Sequence, residues 1–290
     1  MTVSGLGEGT ARAALELANQ APSVHNPPPW RWRVAPRGVQ LYAEAGLHSV
    51  HTDPDDRDLL VSCGVALHHC VIAFAAHGWR AVVHRLPDPQ EPHHLADVEL
   101  HRAAPSAAEA ALAGAIQRRG TVRPASAERA VGLDDIALMG ARAARFGVTL
   151  RRLEPTPELR TLLPQAVWTY ATAPPHVTRT RGGRHSSMLD VPAGNAPQRY
   201  PTPMHSRVAT IADNGVLMAL GTVNDDAVAR LRAGEAASAV LLTATVRGLA
   251  NGLIAEPLER VRTRNRLREL AFDDGEFPQM LVRVGSDFDG

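Results

Sequence analysis

The segment Arg57 to His77 constrains the fold more than any other part of the chain. Leu59, Leu60, Val61, Val65, Ala66, Leu67, Val71, Ile72 and Phe74 cover nearly every face of the helix that their spacing predicts. A helix that is apolar all round has to be buried in the middle of a fold. Asp53 to Asp58 gives it an acidic, turn-forming start, with Asp55 or Asp56 as its cap, and Gly78 ends it. A second segment matches the first. Gly64 stands fourteen residues before Gly78, and Gly234 stands fourteen before Gly248, with an apolar run between each pair. Two readings are open: a chance likeness between helices rich in small residues, or a duplicated α+β unit. Duplication would let one chain mimic a homodimer.

Short elements surround these two helices. Thr10 to Asn19 is predicted as a helix with Thr10 as N-cap and Ala11, Ala14, Leu15 and Ala18 as its apolar stripe. Prolines forbid helix and ladder from Ala21 to Trp30. Trp30 to Val34 and Val39 to Ala43 read as a hairpin around Pro36-Arg37-Gly38. Trp79 to Leu86 and Leu95 to His101 read as antiparallel strands. A second set begins near Pro105. It contains helices Ala107 to Arg118 and Leu133 to Phe146, Gly147 as a C-cap, strand Val148 to Leu153 and helix Pro155 to Trp168. Strand Val216 to Thr222, helix Asp225 to Leu249, helix Pro257 to Leu270 and strand Pro278 to Val284 complete it. Between them, Ala171 to Thr210 is rich in proline and has no period, so it is either functional or disordered. The class is α+β, with antiparallel sheets packed around two long helices. The division falls between 1–104 and 105–290.

Composition removes several function classes. All 31 basic residues other than histidine are Arg. Without Lys there is no Schiff base, no covalent pyridoxal chemistry and no P-loop. A net charge of +1 gives no support to a nucleic-acid partner. No apolar run is read as a membrane span and no N-terminal leader is seen, so the expectation is a cytoplasmic protein with no membrane partner. Cys63 and Cys70 fall two helical turns apart, too far for a disulfide, and read as core residues.

The richest chemistry lies in Gln117-Arg118-Arg119-Gly120-Thr121-Val122-Arg123-Pro124. Three guanidinium groups and a hydroxyl between two helices suit a phosphate, since Arg matches phosphate oxygens bidentately. The same residues also make an ordinary solvated basic turn. Gly5-Leu6-Gly7-Glu8-Gly9 has no preceding strand and is a loose N-terminus rather than a nucleotide loop. Adjacent histidines at His68-His69 and His93-His94 diverge by about 100° on a helix and do not chelate together, so no metal is expected. Glu235, inside an apolar helix, is either an acid near a site or the partner of an Arg. Spacing supports no Ser-His-Asp or Cys-His arrangement, so catalytic side chains stay unassigned.

Five segments, taken in order, resemble the nitroreductase-like flavoproteins and within them the Acg family. They are Ala21-Pro22-Ser23-Val24-His25-Asn26 with Pro29-Trp30-Arg31-Trp32, and Asp56-Arg57-Asp58-Leu59-Leu60 through Cys63-Gly64-Val65-Ala66-Leu67-His68-His69. Arg118 to Arg123, Arg232-Ala233-Gly234-Glu235-Ala236 and Pro278 to Gly285 complete the set. The resemblance implies two fused nitroreductase-like halves, a lid-like loop over 171–210, and one FMN per chain. It implies that Arg119 and Thr121 hold the phosphate, with Arg118 beside them, and that Arg123 lies near the pyrimidine edge of the flavin. Pro22, Ser23 and Asn26 match the segment that a partner subunit otherwise supplies to that flavin. Glu256 falls in the stretch whose backbone amide faces flavin N5. Two departures stand out: Pro27-Pro28 replaces a common Thr-Gln, and Ser286 to Gly290 is acidic where relatives tend to be basic. The implied activity is an FMN-dependent oxidoreductase moving electrons from NAD(P)H, docked transiently, to a nitro, quinone or related small acceptor. Two alternatives fit the same residues: a non-enzymatic FMN-storage protein, and an FMN-dependent dehydrogenase of specialised metabolism. The assembly is a monomer or a homodimer.

Overall fold

A computed structural model describes residues 6–24, 28–44, 53, 55–119, 130–163, 190–192 and 215–285. In chain order the elements are α1 (Glu8–Ala18), β1 (Trp30–Ala35), β2 (Gly38–Ala43), α2 (Arg57–Ala76), β3 (Trp79–Arg85), β4 (His94–Arg102), α3 (Ala107–Arg118) and α4 (Leu133–Ala144). They continue as β5 (Thr149–Arg152), β6 (Asp190–Pro192), β7 (Val216–Thr222), α5 (Ala227–Val246), β8 (Ala250–Ile254), α6 (Glu256–Glu259), α7 (Val261–Phe272) and β9 (Phe277–Gly285). A further helical segment covers 157–163. The chain is therefore α+β.

Its strands form two antiparallel sheets, ordered β3-β4-β2-β1-β6 and β5-β7-β9-β8. The sheets share one plan. In each, two antiparallel strands precede a long helix, and two more antiparallel strands follow it. The last of these enters the sheet beside the second. Strands β1, β2, β3 and β4 thus stand where β5, β7, β8 and β9 stand in the other sheet. Each central ladder shifts register once, at Leu41/Tyr42 and at Leu220/Gly221. Among the described residues strand β6 has no counterpart. Arg31, Trp32 and Arg33 pair with Pro192, Val191 and Asp190, so a piece of the 171–210 stretch joins the first sheet. The rest of that stretch lies outside the described residues.

The two long helices pack against each other at glycine. A Cβ on Gly64 would fall 2.0 Å from the Leu231 carbonyl oxygen and 2.9 Å from Gly234 Cα. A Cβ on Gly234 would fall 2.0 Å from the Val61 carbonyl oxygen and 2.8 Å from Gly64 Cα. The contact is reciprocal, as at a twofold axis. Only glycine lets two backbones approach this closely. Both helices then close through a left-handed glycine, Gly78 at φ 81° and Gly248 at φ 73°. The main hydrophobic core runs from α1 and the first sheet through α2 and α5 to Met218, Met280 and Val282 of the second sheet. A smaller core, with Leu258, Leu267, Phe272 and Leu281, lies under α6 and α7.

Several expectations change at this level. Helix α1 starts at Glu8 with Gly7 as its N-cap, so Thr10 lies inside it and caps nothing. Helix α2 is capped by Asp53, not by Asp55 or Asp56. Asp53 Oδ1 accepts from Arg57 N at 2.7 Å and Oδ2 from Leu59 N at 3.0 Å, while Asp56 takes left-handed backbone at φ 53°. By length and composition α2 could also cross a membrane, which overturns the reading that no segment is long and apolar enough. Its apolar faces are instead buried against α5, α1, α3 and the first sheet. Arg260 takes extended backbone and splits the expected helix Pro257 to Leu270 into α6 and α7. Strand β8 was not expected, because Asn251 and Gly252 are poor strand formers; its ladder with β9 overrides that preference.

Candidate functional site

The site is built along one face of α2. Pro22 stops the chain after α1 and is buried, and Ser23 is half-buried. The next amide, Val24 N, donates to Ser62 Oγ at 3.0 Å, and Ser62 Oγ donates to the Asp58 carbonyl at 2.6 Å. A hydroxyl inside an apolar helix thus pins the Pro22-Ser23 segment to α2. The companion residue Asn26 lies outside the described residues.

His69 follows Ser62 by seven positions, which places it on the same face of α2, two turns or about 10 Å further on. Its ring is buried. Burial and, next, the positive charge of Arg119 hold the imidazole well below its ordinary pKa. Arg119 is half-buried at the C-cap of α3, its N–H donating to the Ala115 carbonyl at 2.9 Å. Helix α3 packs on both α2 and α5. The Pro22-Ser23 segment is thus fixed to α2 at Ser62, and Arg119 acts electrostatically on α2 at His69, two turns further on. Arg118 behaves differently. It is exposed, and its Nη1 would lie 3.0 Å from a Cβ on Gly114, so the guanidinium runs back along α3 rather than forward into the turn. Thr121 and Arg123 lie outside the described residues. Glu256 opens α6 and is buried, and its Oε2 accepts from Ala255 N at 3.1 Å, so the carboxylate occupies one amide of its own turn.

His68 and His69 do not diverge in the way their positions on the helix suggest. Both Nδ1 atoms reach one hydroxyl, Ser238 Oγ, at 2.7 and 2.9 Å. Nδ1 lies close to the helix backbone, so a 100° separation does not keep the rings from a common partner. Burial, then Arg145 and Arg142, push the His68 imidazole down to about 3. Among the described residues no group of three or more His, Cys, Asp and Glu could hold a metal ion. Glu235 resolves to the paired reading: Arg85 Nε and Nη2 donate to its two oxygens at 2.6 and 2.8 Å. Burial raises its pKa against the pull of Arg85.

No family model matches the chain. A protein of Mycobacterium tuberculosis (strain ATCC 25618 / H37Rv), named "Putative NAD(P)H nitroreductase Rv3131", is 46% identical over 95% of this chain and 85% of its own length. The chain belongs to the Acg-like nitroreductase family. The protein named "Putative NAD(P)H nitroreductase acg" from the same organism is 29% identical over 94% of the chain and 88% of its own length. "Uncharacterized protein Rv3127" is 31% identical over 94% and 85%. At these shares the Acg-like nitroreductase likeness covers nearly the whole chain. Within this nitroreductase-family fold, sequence reasoning did not single out Ser62 or Ser238, and it weighed His69 only as a metal ligand. Their signal was a polar side chain flanked by apolar residues in a long buried helix.

Proposed function

We propose that the chain is an FMN-dependent oxidoreductase that passes electrons from NAD(P)H to a nitro, quinone or related small-molecule acceptor. Membership of the nitroreductase family supports the general class. The observation that supports the cofactor reading is that α2 receives the Pro22-Ser23 segment at Ser62 and the charge of Arg119 at His69, two turns apart. The residues fit the group. A guanidinium suits the phosphate, Pro22 and Ser23 offer an apolar wall and a hydroxyl, and the buried His69 Nε2 is an acceptor without a partner among the described residues. FMN would supply hydride chemistry. The chain's own residues would bind, orient and shield it, and no side chain is assigned as acid or base. The shared plan of the two sheets and the reciprocal glycine contact support a further reading. Residues 1–104 and 105–290 are two fused nitroreductase-like halves, each standing where a homodimer would place a subunit. Only the second half carries the Arg cluster, so one FMN per chain is expected.

Purified protein mixed with NADH or NADPH without oxygen tests the proposal. A yellow flavin spectrum that bleaches, then recovers on adding a nitroaromatic or quinone, is the expected result. A yellow protein that neither bleaches nor reduces an acceptor points instead to flavin storage. A colourless protein that cannot be reconstituted with FMN removes the reading altogether.

A further inference from the structure

His69 holds a buried lone pair that the fold leaves unused. Its Nδ1 lies 3.1 Å from the Val65 carbonyl oxygen and 2.9 Å from Ser238 Oγ. A carbonyl can only accept, so His69 Nδ1 carries the proton and shares it between these two oxygens. Ser238 has one proton of its own, which then goes to His68 Nδ1 at 2.7 Å. The chain of donors is closed and sets the tautomer of both rings. His69 Nε2 is left as a bare acceptor, buried and, among the described residues, without a hydrogen-bond partner. The five-membered ring turns Nε2 away from the Val65 carbonyl, hence outward from α2. Burial and, next, the charge of Arg119 keep the ring neutral. Leaving such a group unsatisfied costs free energy, so an acceptor kept in this state calls for a donor supplied from outside. An anionic oxygen is the wrong partner for a lone pair.

We propose that His69 Nε2 accepts a hydrogen bond from a hydroxyl of the ligand whose phosphate Arg119 holds, making the pair a reader of polyol phosphates. This rests on the FMN reading above, where the hydroxyl is one on the ribityl chain. The division of labour is strict: a cation for the phosphate, a neutral acceptor for the sugar-alcohol chain.

The test uses the intact chain and two probes, FMN and inorganic phosphate. Nitrogen NMR of histidine-labelled protein, with His69→Gln to assign the signal, reports the Nε2 lone pair directly. FMN is expected to shift this resonance towards the hydrogen-bonded position, and inorganic phosphate to leave it in place. Flavin fluorescence titration should show His69→Phe binding FMN at least about tenfold more weakly. His69→Gln, which sets an amide oxygen near the Nε2 position, should bind within about threefold of wild type. Wild-type protein that binds FMN with no movement of Nε2 overturns the proposal and leaves the FMN reading intact. Equal affinity of His69→Phe does the same. Wild-type protein that does not bind FMN overturns both. Should His69→Phe fail to fold, the wild-type resonance alone decides.

Discussion

At the residue scale, Arg119 and His68 make different demands on the chain. Arg119 stands half-exposed at a helix end, so its loss should leave the fold intact while removing the proposed phosphate contact. Arg119→Ala should keep its unfolding temperature and lose at least about tenfold in FMN affinity by fluorescence titration. His68 governs acid stability. Folded, it stays neutral down to about pH 3; unfolded, it protonates near its ordinary value of 6.5. The unfolded state therefore gains protons first, and stability falls as pH drops from about 6.5 towards 3. Between pH 7 and pH 5 the loss from His68 alone is about 2 kcal/mol, and His69, shifted the same way, adds to it. Urea unfolding at both pH values checks this, and His68→Gln should flatten the dependence. Arg119 was singled out from the sequence because its residue type advertises its chemistry, and Ser23 because its segment resembles the family's. The Ser238 link was not, because it depends on the register between two helices that sequence cannot align.

At the element scale the two long helices were the most legible part of the chain, since apolar residues on every face leave a helix one place to go. What their sequences could not reveal is how closely they approach. The Gly64 and Gly234 positions face backbone oxygens at 2.0 Å, so even a methyl group has no room. Gly64→Ala should force the helices apart and cost about 2–3 kcal/mol, seen as a lower urea midpoint with an unchanged slope. Gly140, in α4, has nothing within 4 Å of its Cβ position, so Gly140→Ala is the matched control and should be neutral or slightly stabilising. The N-cap of α2 failed as a forecast for the same kind of reason. Asp55 and Asp56 were the expected caps of α2, yet it is Asp53 that reaches the free amides of Arg57 and Leu59 from outside the helix. The missed strand β8 shows the limit of propensity, since Asn251 and Gly252 become strand through a neighbour distant in sequence.

At the scale of the whole molecule, polar contacts tie the first sheet and its helix to the second. Arg57 Nη2 donates to the Pro278 and Gln279 carbonyls at 2.7 and 2.6 Å, from the start of α2 to the centre of the second sheet. Arg85, on β3, clamps Glu235 on α5. Removing that cation strands a buried carboxylate, so Arg85→Met should destabilise by about 3–5 kcal/mol at pH 7. The loss should shrink at pH 5. Glu235, already raised by burial, takes up a proton in the folded state before it does so in the unfolded one, and stability returns as pH falls. The similar plan of the two sheets was legible only as a glycine spacing, because the repeat survives in geometry more than in residues. Strand β6 adds a matter of timing. The first sheet is complete through β4 at Arg102, yet its β1 edge is covered by Asp190–Pro192, synthesised about ninety residues later. At roughly 5–20 residues per second, a ribosome leaves that edge open for on the order of ten seconds. An open edge is a template for pairing with another chain. Nascent chains stalled before residue 190 should therefore associate with one another in crosslinking, and chains stalled well beyond 215 should not.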